Sequence, residues 1–224
     1  MFYRILFTGF GLLFFSLTLN GQIVNIEDRR KALDTVGWFG QLDLGGRYTR
    51  NSDEFLTLNG GIRLDRFQEK SHLLFLADYR VARSGSNSFL NAGFGHIRYS
   101  HVLNERLSWE IFTQVQYDEK LKLNMRFLAG TGPRFDLVSG DRGVVSLGML
   151  YMYEYDELEQ VSLVFRDHRI SSYLSLRYKI GGFTDISNTT YYQPRLWDFD
   201  RTRISSVTAV VFKISDKISF TTRF

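Results

Sequence analysis

From Val36 to Phe224 the chain repeats one unit: about a dozen residues alternating apolar and polar, rich in aromatics, then a short polar turn. Successive side chains on a β-strand point to opposite faces. In Leu107 to Asp118 this puts Leu107, Trp109, Ile111, Val115 and Tyr117 on one face, and Ser108, Glu110, Gln114, Gln116 and Asp118 on the other. The stretch Val36 to Arg50 sets Val36, Trp38, Leu42, Leu44 and Tyr48 against Gln41, Asp43, Arg47 and Thr49. Phe55 to Phe67 sets Leu56, Leu58, Ile62 and Leu64 against Thr57, Asn59, Arg63 and Asp65. Ser71 to Arg83 sets Leu73, Phe75, Ala77, Tyr79 and Val81 against His72, Asp78 and Arg80. Further strands are predicted over Phe89 to Val102, Leu121 to Phe135, Val144 to Tyr155, Arg169 to Tyr178, Phe183 to Gln193, Arg203 to Ile214 and Ile218 to Phe224. In Phe89 to Val102 and Arg203 to Ile214 neither face is plainly apolar.

The spacing of aromatics gives these strands a length scale. Trp38 and Tyr48 are ten residues apart, which at ~3.3 Å per residue and ~40° of tilt is roughly 25 Å of depth, the height of a membrane barrel's apolar band. Trp109 and Tyr117 give roughly 20 Å on the same basis. Strands of soluble proteins are shorter, usually ~5–6 residues. The connections carry Gly, Asn and Asp, as in Arg50-Asn51-Ser52-Asp53, Ser84-Gly85-Ser86-Asn87, Ser139 to Gly143 and Ile180-Gly181-Gly182, which suits hairpins joined in sequence. Two links read as longer, Asp156 to His168 and Pro194 to Thr202. With a periplasmic N-terminus, both fall on the outer surface, where such barrels carry their longer loops.

The amino terminus changes the compartment. Met1-Phe2-Tyr3-Arg4, an apolar run from Ile5 to Leu19 and Asn20-Gly21-Gln22 follow the order of a cleavable signal peptide, covering residues 1–21. The alternative is a retained anchor, but the run is short for ~30 Å of hydrocarbon. Residues 22–35 include the dense charges Glu27-Asp28-Arg29-Arg30-Lys31, which break the alternation and read as a periplasmic lead-in. Residues 36–224 form the barrel domain. A composition of 44% hydrophobic and 16% aromatic residues is too apolar for disorder, and without cysteine no disulfide holds the exported chain. Barrel closure supplies the missing constraint by pairing every edge. The net charge of +4 is interleaved along the chain, so no basic stripe points to nucleic acid.

The fold class expected is therefore all-β: an antiparallel up-and-down transmembrane β-barrel. Single-chain bacterial barrels have even strand numbers, whereas eleven segments are legible. Twelve strands are expected, with the chain stopping before the last, and ten are the alternative.

Several runs carry a family resemblance: Gly93-Phe94-Gly95-His96-Ile97-Arg98-Tyr99, Met152-Tyr153-Glu154-Tyr155, Arg169 to Leu176 and Tyr191-Tyr192-Gln193-Pro194. From about Val24 onward the chain resembles the uncharacterised YdiY-like family of salt-induced outer membrane proteins. The resemblance implies a Gram-negative outer membrane β-barrel without an established catalytic motif. It also implies a further strand pair beyond a segment like Ile218 to Phe224, which supports the shortened chain.

Candidate chemistry lies on the polar face. Asp43, Arg47, Arg63, Asp65, Asp78 and Arg80 come from the first three strands. Glu110, Gln114, Arg126, Arg134, Glu154, Arg169 and Arg177 follow. Barrels of ~8 strands are filled by side chains and those of ~16–18 carry a channel; twelve favours a plugged or very narrow lumen, lined by charges that must pair. A hydrolase would need serine and histidine in contact, and the pairs available are His96 with Ser100 and His168 with Ser171 or Ser172. Residues four apart on a strand are ~13 Å apart, and His168 and Ser171 fall on opposite faces, so an enzyme, a lipid hydrolase at most, is not expected. Four histidines on scattered segments and no cysteine give no zinc spacing; neither metal nor other cofactor is expected. Trp38, Tyr48, Trp109, Tyr117, Tyr151, Tyr153 and Tyr155 suit an aromatic girdle at the headgroup layer, while the Pro194 loop with Trp197 and Phe199 offers a binding surface as an alternative. The partners expected are outer membrane lipid and the barrel-assembly machinery, with no nucleic acid, around a monomeric, porin-like protein.

Overall fold

The computed structural model describes residues 24–30, 36–51, 54–85, 87–159, 163–215 and 218–224. The expected signal peptide lies outside these residues, as do Ser52, Asp53 and Ser86 of the two turns named for them. Eleven strands form one sheet in chain order, every neighbouring pair antiparallel. They are β1 (Gly37–Arg50), β2 (Glu54–Gln68), β3 (Ser71–Ser84), β4 (Asn87–Asn104), β5 (Leu107–Asp118) and β6 (Leu123–Gly140), then β7 (Gly143–Leu158), β8 (Leu163–Ile180), β9 (Thr184–Gln193), β10 (Arg203–Ser215) and β11 (Ile218–Arg223). Each expected segment coincides with one strand.

The faces also fall as the alternation requires. The register Trp109↔Pro133 and Ile111↔Thr131 keeps one row facing outward, while Glu110↔Gly132 and Gln114↔Leu128 keep the other inward. The inward row of β5 is mostly polar, with Glu110 0% exposed and Gln114 and Gln116 buried beyond the apolar Phe112; the outward row is mostly apolar and open, with Ile111 51% exposed. Such polarity is the reverse of a water-soluble fold, which buries apolar groups.

Three findings differ from the sequence reading. The sheet has the eleven strands legible in the sequence, but it is open where closure is expected: among the described residues no ladder joins β1 to β11. Both edges run in the same direction because their number is odd. The link Asp156 to His168 is not a long loop: Leu158↔Leu163 closes the β7–β8 ladder, so only residues 159–162 connect them. A barrel hairpin can extend its ladder past the apolar band, and acidic residues there do not end it. Only the connection at residues 194–202 is long.

The third difference concerns residues 24–30. They do not stand apart from the sheet as a lead-in; they lie against its inward face, with a 3-10 turn at Glu27–Arg29. Arg29 pairs with Asp78 of β3, Arg30 with Glu110 of β5, Glu27 with Arg134 of β6, and Asp28 with Arg223 of β11. One short segment can touch strands from β3 to β11 only if the sheet curls around it.

Candidate functional site

The inward face concentrates its charge in two buried networks. The first is centred on Glu110. Arg30 donates to its Oε1 at 2.5 Å, Arg98 to its Oε2 at 3.3 Å and the Tyr173 hydroxyl to Oε2 at 3.0 Å. Tyr173 reaches β5 from β8 because its register partner is Gly148; a Cβ there would overlap the tyrosine ring. Arg134 donates to the same hydroxyl at 3.0 Å.

Glu27, 1% exposed, completes this network from the amino-terminal segment. Its Oε1 accepts from Arg98 at 2.8 Å and its Oε2 from Arg134 at 2.6 Å, while Arg177 donates to its backbone carbonyl. Burial alone would push this carboxyl up, but the guanidiniums of Arg30, Arg134 and Arg98 outweigh it and hold it well below the usual carboxylate range. Glu27 is therefore a bound carboxylate anion.

The second network sits near the end of the sheet that carries the connection at residues 194–202. Arg169, 1% exposed, donates to Glu154 at 2.6 Å and to the carbonyls of Gln193 and Arg201 at 3.0 Å each. Arg126 grips Asp156 with two bonds of 2.7 Å, and Arg203 spans from β10 to Glu154 on β7. Between the networks lies an apolar layer of Phe112, Leu150, Met152, Tyr173 and Tyr191. A cavity of about 40 Å³ remains beside it, room for a few waters and nothing larger.

The candidate lumen residues all take the inward face by register. Arg63 pairs with Asp65 at 2.5 Å, Asp78 meets Arg29, and Gln114 bonds Gln116 at 3.0 Å. Glu110, Arg126, Arg134, Glu154, Arg169 and Arg177 join the networks above. Asp43, Arg47 and Arg80 are exposed: β1 has a neighbour on one side only among the described strands, and Arg80 borders a cavity together with Asp43 and Asp78. All seven girdle candidates face outward. Arg66 stacks over Trp38 and Arg166 over Tyr155, at 5.3 and 5.9 Å from the ring centres.

Neither serine-histidine pair is in contact. His96 bonds Gln114 at 3.2 Å while Ser100 serves Arg30 and Glu110; His168 bonds the Tyr151 hydroxyl at 2.5 Å. Among the described residues no cluster of three histidine or acidic side chains is placed to hold a metal ion.

Sequence reasoning missed the partners that cross the interior: Glu27, Arg29, Arg30, Arg98, Asp156 and Arg203. It also missed the inward pair Leu74 and Leu76, buried under Ile26 with Phe94 beside them. Their signal was present as the run Leu73-Leu74-Phe75-Leu76, apolar on both faces where an empty, wet lumen would call for alternation.

No curated protein matches the chain. The family model described as "Protein of unknown function, DUF481" matches residues 42–224, and the chain belongs to that family.

Proposed function

We propose that this protein is an outer membrane β-barrel with a side-chain-filled, narrow lumen, acting as a structural or narrow-pore protein rather than an enzyme. The observation that carries this reading is the inverted polarity of the sheet. The inward charges Asp65, Arg98, Glu110, Arg126, Glu154 and Arg169 are buried and ion-paired, while Leu42, Leu44, Ile62, Ile97, Ile111 and Val115 stand exposed outside. An antiparallel meander with an apolar exterior is stable where lipid covers it. The export signal over residues 1–21, a monomeric state, insertion by the assembly machinery and a contribution to salt or osmotic response belong to the same proposal.

Closure completes it. The inward contacts of residues 24–30 with strands from β3 to β11 bring the two edges of the sheet toward one another, which is the curvature that closure needs. Heat-modifiable migration tests the barrel: the detergent-refolded chain should run faster on a gel unheated than boiled. A single band position under both conditions, with no protection of the strands from protease in liposomes, would reject it. A second reading, a surface binding protein, draws on Trp197 and Phe199, exposed on the connection that Arg169 anchors. Retention of the protein on immobilised glycans, lost on Trp197→Ala, would support it.

A further inference from the structure

Residues 24–30 match the interior charge for charge. In order they offer an apolar side chain, two acids and two bases, Ile26-Glu27-Asp28-Arg29-Arg30. The wall answers in kind. Leu74 and Leu76 receive Ile26; Arg98 and Arg134 receive Glu27, with Arg223 3.9 Å from Asp28. Asp78 takes Arg29 through two bonds of 2.5 and 3.1 Å, and Glu110 takes Arg30. Arg63 and Arg177 cap the carbonyls of Arg29 and Glu27. Two inward leucines have no reason to face a water-filled lumen, so the wall is shaped for an apolar occupant.

The same segment borders open space. Val24 and Arg29 form part of the wall of a cavity of about 440 Å³ that also touches Asp43, Asp78, Arg80 and Phe94. Of the wall groups touching the segment, the arginines 63, 98, 134, 177 and 223 outnumber the carboxylates Asp78 and Glu110. Asp65 and Asp136 offset part of that charge at Arg63 and Arg134. The wall stripped of its occupant is thus cationic around the place where the Glu27 carboxylate sits.

We propose that Val24–Arg30 is a built-in plug, latched by Glu27 in an arginine cradle that becomes an anion-binding constriction when the plug withdraws. The inference rests on the barrel reading above and assigns its lumen a gate and a selectivity. The cradle recognises carboxylates and small inorganic anions by the charge-assisted bonds now made to Glu27. Chloride is the probe.

The test is conductance of the full refolded chain in a planar bilayer under a potassium chloride gradient. Wild type should be closed for most of the record. Glu27→Gln removes the latch charge, and its open probability should rise at least tenfold, with a reversal potential on the chloride side. Adding Arg98→Gln or Arg134→Gln to that background should move the reversal potential toward zero. Because the chain has no cysteine, Ile26→Cys with Leu76→Cys in the Glu27→Gln background gives a clean lock: oxidation should silence the channel and reduction restore it. A channel that stays equally open when the cross-link has formed, or that passes potassium in preference, overturns the plug and its cradle. Heat-modifiable migration of every variant keeps the two proposals apart: variants that migrate as barrels without the conductance change overturn the plug alone, and a chain that never shows the shift overturns both.

Discussion

A carboxylate withdrawn from water persists as an anion only where donors replace its hydration shell, and Glu110 meets four: Arg30, Arg98, Ser100 and Tyr173. Glu110→Ala leaves Arg30 and Arg98 to share Glu27 alone, and breaking a buried charge network in this way costs about 3–5 kcal/mol. The expected outcome is a lower urea midpoint for the refolded protein, whereas Asp43→Ala, at an exposed site, should leave it unchanged. Glu27 carries a pH dependence whose sign follows from its depressed pKa. The charged groups facing it are Arg30 on its own segment and Arg98, Arg134, Arg177 and Glu110 on the wall, with Asp28 adjacent in sequence. A carboxyl held below its ordinary 4.5 contributes its full docking energy above that value and loses it progressively as the pH falls further. Wild-type open probability should therefore be flat from neutrality to about pH 5 and rise in more acid solution. Glu27→Gln should start high, and the two curves should converge in acid; parallel curves would deny Glu27 the role of latch.

At the scale of elements, the long connection at residues 194–202 is held from below. Arg169 donates to the Gln193 and Arg201 carbonyls, Leu196 donates its amide to the His168 carbonyl, and Arg195 pairs with Asp167 at 2.6 Å. Bonds to a charged donor are worth about 1.5–3 kcal/mol each, so Arg169→Ala should raise trypsin cleavage after Arg195 or Arg201 by tenfold or more. An unchanged rate would mean the connection holds itself. Most strands were legible in the sequence because they have one apolar and one polar side, so a period of two survives along β1, β2 and β5. It blurs in β10, where Val207, Ala209 and Val211 take the inward face by register with β9, so both sides are apolar. The place of Glu27 was not legible. Its partners Arg98 and Arg134 lie 71 and 107 residues away, and nothing in local alternation reports a contact made between the sheet and a segment folded against its inward face. The inward leucines of β3 did leave a mark, as an apolar run whose meaning needs the occupant to be known.

For the whole molecule, the decisive quantity is the environment that the outward face meets. That face carries exposed apolar side chains on every strand from β1 to β8, with Leu44 78% exposed and Met149 and Leu174 open as well, and contiguous exposed apolar side chains mark a surface that something else covers. If lipid covers it, the cost of a charge there depends on depth, because the hydrocarbon centre is drier than the interface. Lysine at the midplane of a barrel costs about 2–4 kcal/mol and near the interface about 0–1. Ile111 lies in the middle of β5 and Ile180 at the end of β8, and both point outward. In phospholipid vesicles, Ile111→Lys should lower the unfolding free energy by several-fold more than Ile180→Lys. A sheet whose outer face met water would accept both lysines alike, since each would replace an exposed apolar side chain with a solvated one. The difference between the two substitutions therefore reads the bilayer directly, without relying on any activity, and equal costs would remove the membrane from the proposal.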